Sequence, residues 1–298
     1  MEKIWNYLHY NTANANELSN LTGLSPTICR ILANRGITPS NVRQFLKGGM
    51  SYLHDPYLMK DMDKAVARTK KAIGGKEKIT VYGDYDVDGI SSVAMLISYI
   101  LSEGGICDYY IPGREAEGYG LNKPALKKIA ESGTSLVITV DTGITAWEEA
   151  EYAKKLGMDI IITDHHTVGD KIPEATAVLN PKRHDCLYPF KSLAGAGVAF
   201  KLLCALCGST PKIVTDYCDM AAVATIADVV SLTDENRIIA SLGLRKINKM
   251  PSVGFSRLLK VSSADSSPVT PYQLSFCIAP RLNAAGRMGD SKKAVELL

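Results

Sequence analysis

No stretch of this sequence is apolar enough to cross a bilayer: the longest, residues 93–101, falls far short of the roughly 20 residues a spanning helix needs. The first residues, where Glu2 and Lys3 are followed by Asn6, His9, Asn11 and Asn14, lack the continuous apolar core of a secretory signal. Together these absences make the cytoplasm the expected compartment, with no membrane partner. A disulfide framework is missing as well. Cys29, Cys107, Cys186, Cys204, Cys207, Cys218 and Cys277 are an odd set scattered through 298 residues, a length that buries enough surface to fold without staples. They read as reduced thiols. The one C-x-x-C, at Cys204 and Cys207, has no second pair and lies on a stretch of helical apolar period, so two buried helix-face cysteines are expected there rather than zinc or redox chemistry. Strong net charge is also lacking: +3 does not by itself announce a nucleic-acid partner. The local excess over residues 60–78, seven basic against three acidic, reads as a solvated helix face. There is no internal repeat and no low-complexity tract.

What the sequence does contain is alternation. The first fifty residues read as a small helical region, with Ser25-Pro26 opening residues 27–34 and Ser40 capping 41–46; Gly48-Gly49 closes it. An amphipathic stretch follows at 61–73. From residue 79 onward, short apolar runs at 79–82, 107–111, 136–140, 159–163 and 177–179 alternate with helical-period segments at 90–101, 123–131 and 145–156. That order predicts an α/β fold, a parallel sheet flanked by helices. After residue 192 the chain is expected to be mostly helical. Residues 292–298 read as a helix with no stop signal, so the expectation is a chain cut within a longer one.

Three of the predicted strands lead into acidic clusters: Gly83-Asp84-Tyr85-Asp86-Val87-Asp88-Gly89, Asp141-Thr142-Gly143 and Asp164-His165-His166. In an open parallel sheet the carboxyl ends of the strands lie along one edge, where ligands bind, so these residues should converge. That much negative charge calls for a cation. Asp84 and Asp86, two apart in extended chain, point to the same side; Asp88 is either a third ligand or the N-cap of the following helix. His165 and His166 are adjacent, and an extended backbone would send them apart, one as a ligand and the other toward phosphate. Asp228, within the apolar helical-period run 221–232, needs a cation or hydrogen-bonding partner, or serves as an inward helix cap. Oxygen-rich ligands with one or two imidazoles favour Mn2+ or Mg2+, and two such ions sharing a carboxylate form the usual clamp for attack on phosphorus. A single D-T-G excludes the paired carboxylates of an aspartic protease. Gly195-Ala196-Gly197, half a dinucleotide fingerprint, is expected to serve close helix packing.

These motifs, with Ile226-Ala227-Asp228-Val229-Val230, resemble the DHH phosphoesterase superfamily, and within it the RecJ branch of single-strand-specific 5′→3′ DNA exonucleases. The resemblance extends in order through Leu53-His54-Asp55-Pro56, Glu117-Gly118-Tyr119-Gly120-Leu121-Asn122, Asn180-Pro181-Lys182-Arg183, residues 193–201 and residues 279–289, covering nearly the whole chain. It implies a helical region over 1–50 and a DHH domain over 51–298 that ends in a helix leading to a second domain. It places Asp84, Asp86, Asp88, Asp141, His165 and Asp228 around Mn2+ or Mg2+, two ions being expected, with Asp141, His165 and His166 catalytic and His166 near the scissile phosphate. Arg114, Asn122, Arg183, Arg281, Asn283 and Arg287 are candidates for holding phosphates, each arginine having a surface ion pair as its alternative. Tyr85, Tyr109, Tyr110 and Tyr119 offer stacking faces or packing. The implied activity is release of 5′-mononucleotides from single-stranded DNA in repair and recombination, with single-strand-binding protein and a helicase as protein partners. One departure stands out: where many DHH relatives carry a histidine four residues before an aspartate of the D-x-D pair, counting from Asp86 gives Tyr82. The competing readings are a DHH phosphodiesterase for small nucleotides and a non-catalytic DNA-binding relative; intact aspartates at every motif argue against the latter.

Overall fold

The computed structural model describes residues 9–113, 117–262 and 268–298. The chain divides into two units, one through Tyr52 and one from Leu53 to Leu298. In the first, α1 (Thr12–Thr22), α2 (Pro26–Asn34) and α3 (Val42–Lys47) close over Leu18, Cys29, Leu32, Ile37 and Val42. Ser25 caps α2 through the amide of Ile28, as its position before Pro26 predicts. Ser40 does not cap α3. Its hydroxyl is bonded to Thr38, and Asn41 stands at the cap position with its carboxamide turned back to the Thr38 amide.

The second unit begins with α4 (Met62–Gly74) and is built on a five-stranded sheet. Its strands are β1 (Lys78–Gly83), β2 (Ile106–Tyr110), β3 (Leu136–Val140), β4 (Asp159–Thr163) and β5 (Ala177–Leu179), all parallel, in spatial order β2-β1-β3-β4-β5. The helices α5 (Val87–Ser102), α6 (Lys123–Glu131) and α7 (Trp147–Lys155) cross between strands. The expected parallel α/β fold is what forms, and its physical basis is alternation within each strand. Ile79, Val81, Leu136, Ile138, Val140 and Ile161 pack on one face, with α4 and α5; Tyr82, Val137, Ile160 and Ile162 pack on the other, with α6 and α7. Covered on both faces, β3 and β5 are buried at every residue, whereas β2 at the sheet edge is only partly buried and carries Asp108.

After β5 the chain is helical: α8 (Gly195–Cys207), α9 (Thr210–Ala227), α10 (Asp234–Lys249) and α11 (Val253–Val261). A turn of helix α12 (Pro271–Gln273) runs through a π-helical stretch, Leu274–Ile278, into α13 (Ala279–Arg287), and α14 (Ser291–Leu297) follows. Helices α8 and α9 join the same face as α5. One buried ion pair ties this layer together. Lys201 of α8 donates to Glu235 of α10 at 3.0 Å and to the carbonyl of His54; the Tyr188 hydroxyl and the His54 amide donate to the same carboxylate. Leu53-His54-Asp55-Pro56 thus has a structural role. Both charged side chains of the pair are essentially inaccessible.

Register then positions chemistry. Gly83 pairs with Val140, Val140 with Thr163, and Thr163 with Leu179. The next residue on each strand is Asp84, Asp141, Asp164 and Asn180, so four polar groups leave the sheet at one level. The order of strands reverses between β1 and β3, the switch point at which open α/β sheets bind ligands. Helix α13 closes on this rim. A Cβ at Gly286 would lie 1.9 Å from the carbonyl oxygen of Tyr85, so only glycine permits that approach.

Candidate metal centre

Each acidic cluster is shaped by its local backbone. Helix α5 starts at Val87, and its N-cap is Asp86, not Asp88: the Asp86 carboxylate accepts from the amides of Asp88 and Gly89 at 2.9 and 3.0 Å. Asp88 sits in the first turn, where its two oxygens accept from the amides of Gly195 and Ala196, each at 2.7 Å. The open N-terminus of α8 therefore holds Asp88. Gly195 has a further reason: a Cβ there would come within 2.9 Å of three atoms of the Asp141 side chain. Gly195, expected to serve helix packing, thus admits a carboxylate instead, while Gly197 packs against the Leu193 side chain.

Asp141 follows β3 in a left-handed conformation, φ +59°, strained for a residue with a side chain. His165 is buried; its Nδ1 lies 3.1 Å from the Leu193 carbonyl, which fixes that nitrogen as the donor and turns the Nε2 lone pair toward Asp141 Oδ1, 3.1 Å away. Asp164 is not a further ligand. Its Oδ1 accepts from the amides of His165 and His166 and from His166 Nδ1, at 2.7, 3.0 and 2.7 Å, while Oδ2 accepts from the Ile144 amide. By bending the chain this carboxylate brings the two imidazoles to 4.5 Å, where an extended backbone would have sent them apart. Asn180 supports the bend by donating to the His166 carbonyl. Asp228 is not inside a helix: α9 ends at Ala227, Asp228 is its C-cap, and Val229 turns left-handed at φ +57°.

Ligand atoms gather into three overlapping groups, each within 4.8 Å: Asp84, Asp86 and Asp141; Asp88, His165 and Asp228; and Asp141, His165 and His166. All six residues expected around metal are among them. Electrostatics shows the cost of that gathering. Burial, with the charge of Asp86 added, pushes the Asp88 carboxyl up to about 7. Burial and the charge of Asp88 push Asp228 up to about 6 and raise Asp141 well above the carboxylate range. Burial also lowers the His165 value. The outer pair behaves differently. Burial opposes ionisation of Asp164, yet the hydrogen bonds from His166 hold its carboxyl below the ordinary value, and the same contact raises His166. Asp141 Oδ1 and Asp228 Oδ2 are buried with no hydrogen-bond donor. Buried carboxylate oxygens without donors, mutually repelling and joined by an imidazole nitrogen, fit a hard divalent cation such as Mn2+ or Mg2+.

The expected phosphate-holding residues are distributed differently. Arg183 is buried and committed: Nε and Nη2 bind Asp185, and Nη1 binds Asp61 and the Val178 carbonyl. It is a post of the scaffold. Asn122 caps α6 through the Ala125 amide and donates to the Tyr82 hydroxyl. Asn283 accepts from the Val87 amide at 3.0 Å, bracing the start of α5 beside Asp86. Arg281 and Arg287 lie exposed on α13, Arg281 also donating to the Cys277 carbonyl. Arg114 lies outside the described residues. Tyr82 takes no part in the cluster, being buried against α6 and bonded to the Gly120 carbonyl. Tyr119 does reach the site: its hydroxyl stands 3.3 Å from the Asp141 carbonyl and 3.5 Å from His166 Nε2. Sequence reasoning gave Asp164 no role of its own, because nothing local signals that its carboxylate gathers the amides of Ile144, His165 and His166 and the His166 ring.

This rim on this sheet is that of a DHH phosphoesterase domain: residues 78–225 match the DHH family, N-terminal domain, and the chain belongs to that family. Among its relatives is the single-stranded-DNA-specific exonuclease RecJ of Bacillus subtilis, 45% identical over 276 residues, which are 92% of this chain and 35% of that one. That of Dickeya dadantii is 36% identical over 90% of this chain and 49% of its own length. The chain thus spans between a third and a half of these relatives. A crystal structure of exonuclease RecJ bound to manganese superposes with a TM-score of 0.74 at 35% identity, over 83% of this chain and 62% of that one. RecJ from Thermus thermophilus in complex with Mn2+ gives 0.81 at 31% identity, over 96% and 41%.

Proposed function

We propose that this chain carries the catalytic centre of a metal-dependent exonuclease that hydrolyses single-stranded DNA from its 5′ end and releases mononucleotides. The observation that supports it most is the convergence of Asp84, Asp86, Asp88, Asp141, His165 and Asp228 at one rim, with donor-free buried oxygens between them. On this reading Asp84, Asp86 and Asp141 hold one Mn2+ or Mg2+, and Asp88, His165 and Asp228 a second. Bound there, divalent cations supply an activated water and neutralise charge on the transferring phosphoryl group. The chain's own residues do the rest. Asp164 keeps a proton on His166 Nδ1 and aims Nε2 toward the cleft, where it can donate to a phosphate oxygen. The α8 amides keep Asp88 in place without a competing cationic side chain.

The names of the relatives support the substrate, and the manganese- and magnesium-bound relatives support the metal. Among the described candidate arginines, Arg281 and Arg287, exposed on the helix that closes the rim, are available for phosphates. No helix among the described residues is long and apolar enough to cross a membrane, and the working compartment we infer is the cytoplasm, with single-strand-binding protein and a helicase nearby. The test is incubation with Mn2+ and 5′-phosphorylated single-stranded DNA, duplex DNA, cyclic dinucleotides or short oligoribonucleotides. Preferential loss of the DNA single strand is expected, and Asp141→Ala should abolish it while melting normally. Turnover confined to a small nucleotide would replace this reading with the small-nucleotide phosphodiesterase.

A further inference from the structure

Beside His166 the rim opens into a cleft of about 360 Å³, at the small end of the range for small-molecule pockets. Tyr119, Leu121, Gly143, Ile144 and Ala146 line it, as does Glu149 of the first turn of α7. The charged residues of this lining are Asp164, His166 and Glu149; Leu121, Ile144 and Ala146 contribute apolar surface. Tyr119 is held by its hydroxyl at the Asp141 carbonyl and His166 Nε2, yet the residue remains 54% exposed. The ring meets His166 edge-on, with centroids 6.1 Å apart. An aromatic ring tethered at one end and open on a face is suited to stacking on a planar group.

We propose that this cleft receives the base of a nucleotide adjoining the scissile phosphate, with Tyr119 as its stacking face and Glu149 as acceptor for an exocyclic amino group. The proposal rests on the phosphodiesterase reading and gives it a specificity. A group in the cleft lies against the histidine that faces phosphate, so a base there keeps its own nucleotide's phosphate at the rim. Carboxylates accept from the exocyclic amino groups of cytosine and adenine, whereas the exocyclic polar groups of thymine are carbonyl oxygens that a carboxylate repels. Cytosine or adenine should therefore be preferred over thymine at one of the first two positions.

The experiment uses the full chain with Mn2+ and 5′-phosphorylated single strands that differ only at position one or two: cytosine, thymine or an abasic residue. Binding is read in parallel from 2-aminopurine fluorescence at the same positions, in strands whose scissile linkage is a methylphosphonate. The abasic residue should raise KM by about tenfold at one position, the scale of one lost base stack. Tyr119→Leu should remove that penalty and the 2-aminopurine quenching, while Tyr119→Phe keeps both. Glu149→Gln should narrow the ratio of kcat/KM between cytosine and thymine. Equal KM for natural and abasic strands at both positions, with hydrolysis proceeding, would overturn the subsite alone. Neither hydrolysis nor quenching with any single strand would overturn the nuclease reading and the subsite together.

Discussion

Arg183 shows how a residue's partners decide what its type leaves open. A guanidinium after an Asn-Pro-Lys turn looks equally ready for phosphate or carboxylate, and the choice is made by Asp61, 122 positions earlier in the chain. No local pattern carries that information. The consequence is measurable at low pH. Burial alone would raise the Asp61 carboxyl, but hydrogen bonds from Lys64 and Arg183 outweigh it and hold the value below normal; the bond from Arg183 also lowers Asp185. A carboxyl depressed in the folded state contributes stability above its unfolded value, about 4, and that contribution is lost as pH falls through the folded value. Urea unfolding between pH 7 and pH 2.5 should therefore show Arg183→Met weaker than the parent at neutral pH and the two converging in acid. A gap that stays constant with pH would remove the ion pairs as its cause. The convergence of the acidic clusters was the opposite case, readable in advance because three independent strand ends carried the same chemistry.

Among the elements, strands were legible nearly to the residue: the runs at 136–140, 159–163 and 177–179 coincide with β3, β4 and β5. β3 and β5 are buried at every residue, so apolar run and element share their ends. Helix ends were less legible. The apolar run that contains Asp228 continues through Val229 and Val230, so nothing local signals that α9 stops at Ala227; the left-handed turn at Val229 is imposed by the fold around it. Likewise two aspartates compete to cap α5, and Asp86 takes that role because Asp88 is claimed by α8. The ion pair that links α8 to α10 gives a prediction of its own. Lys201→Met leaves Glu235 buried without its cation and should cost about 3–5 kcal/mol in denaturant unfolding. Adding Glu235→Leu should recover most of it. Failure of the double variant to recover would mean that the hydrogen bonds from Tyr188 and the His54 amide, rather than charge, hold this layer.

For the whole molecule the acidic rim is a liability that cations relieve. Carboxyls raised by burial and mutual repulsion, about 7 for Asp88 and about 6 for Asp228, favour folding in their protonated form. That advantage is present below about pH 4 and is lost as pH rises through those values. Saturating Mn2+ should accordingly raise the melting temperature more at pH 8 than at pH 5, and at about a hundred times its dissociation constant it should add about 2.7 kcal/mol. An equal rise at both pH values, or the same rise in Asp141→Ala, would place the bound ion elsewhere.

The common level of Asp84, Asp141, Asp164 and Asn180 ties this behaviour to assembly. If β1 or β3 slid by two residues it would keep the same face inward, so the hydrophobic core could tolerate the error, but Asp84 or Asp141 would move about 7 Å along the sheet. No ion could then be shared across the gap. Cation uptake thus discriminates between alignments that burial alone scarcely distinguishes, and the metal would act as a proofreader of the sheet before it acts on any substrate.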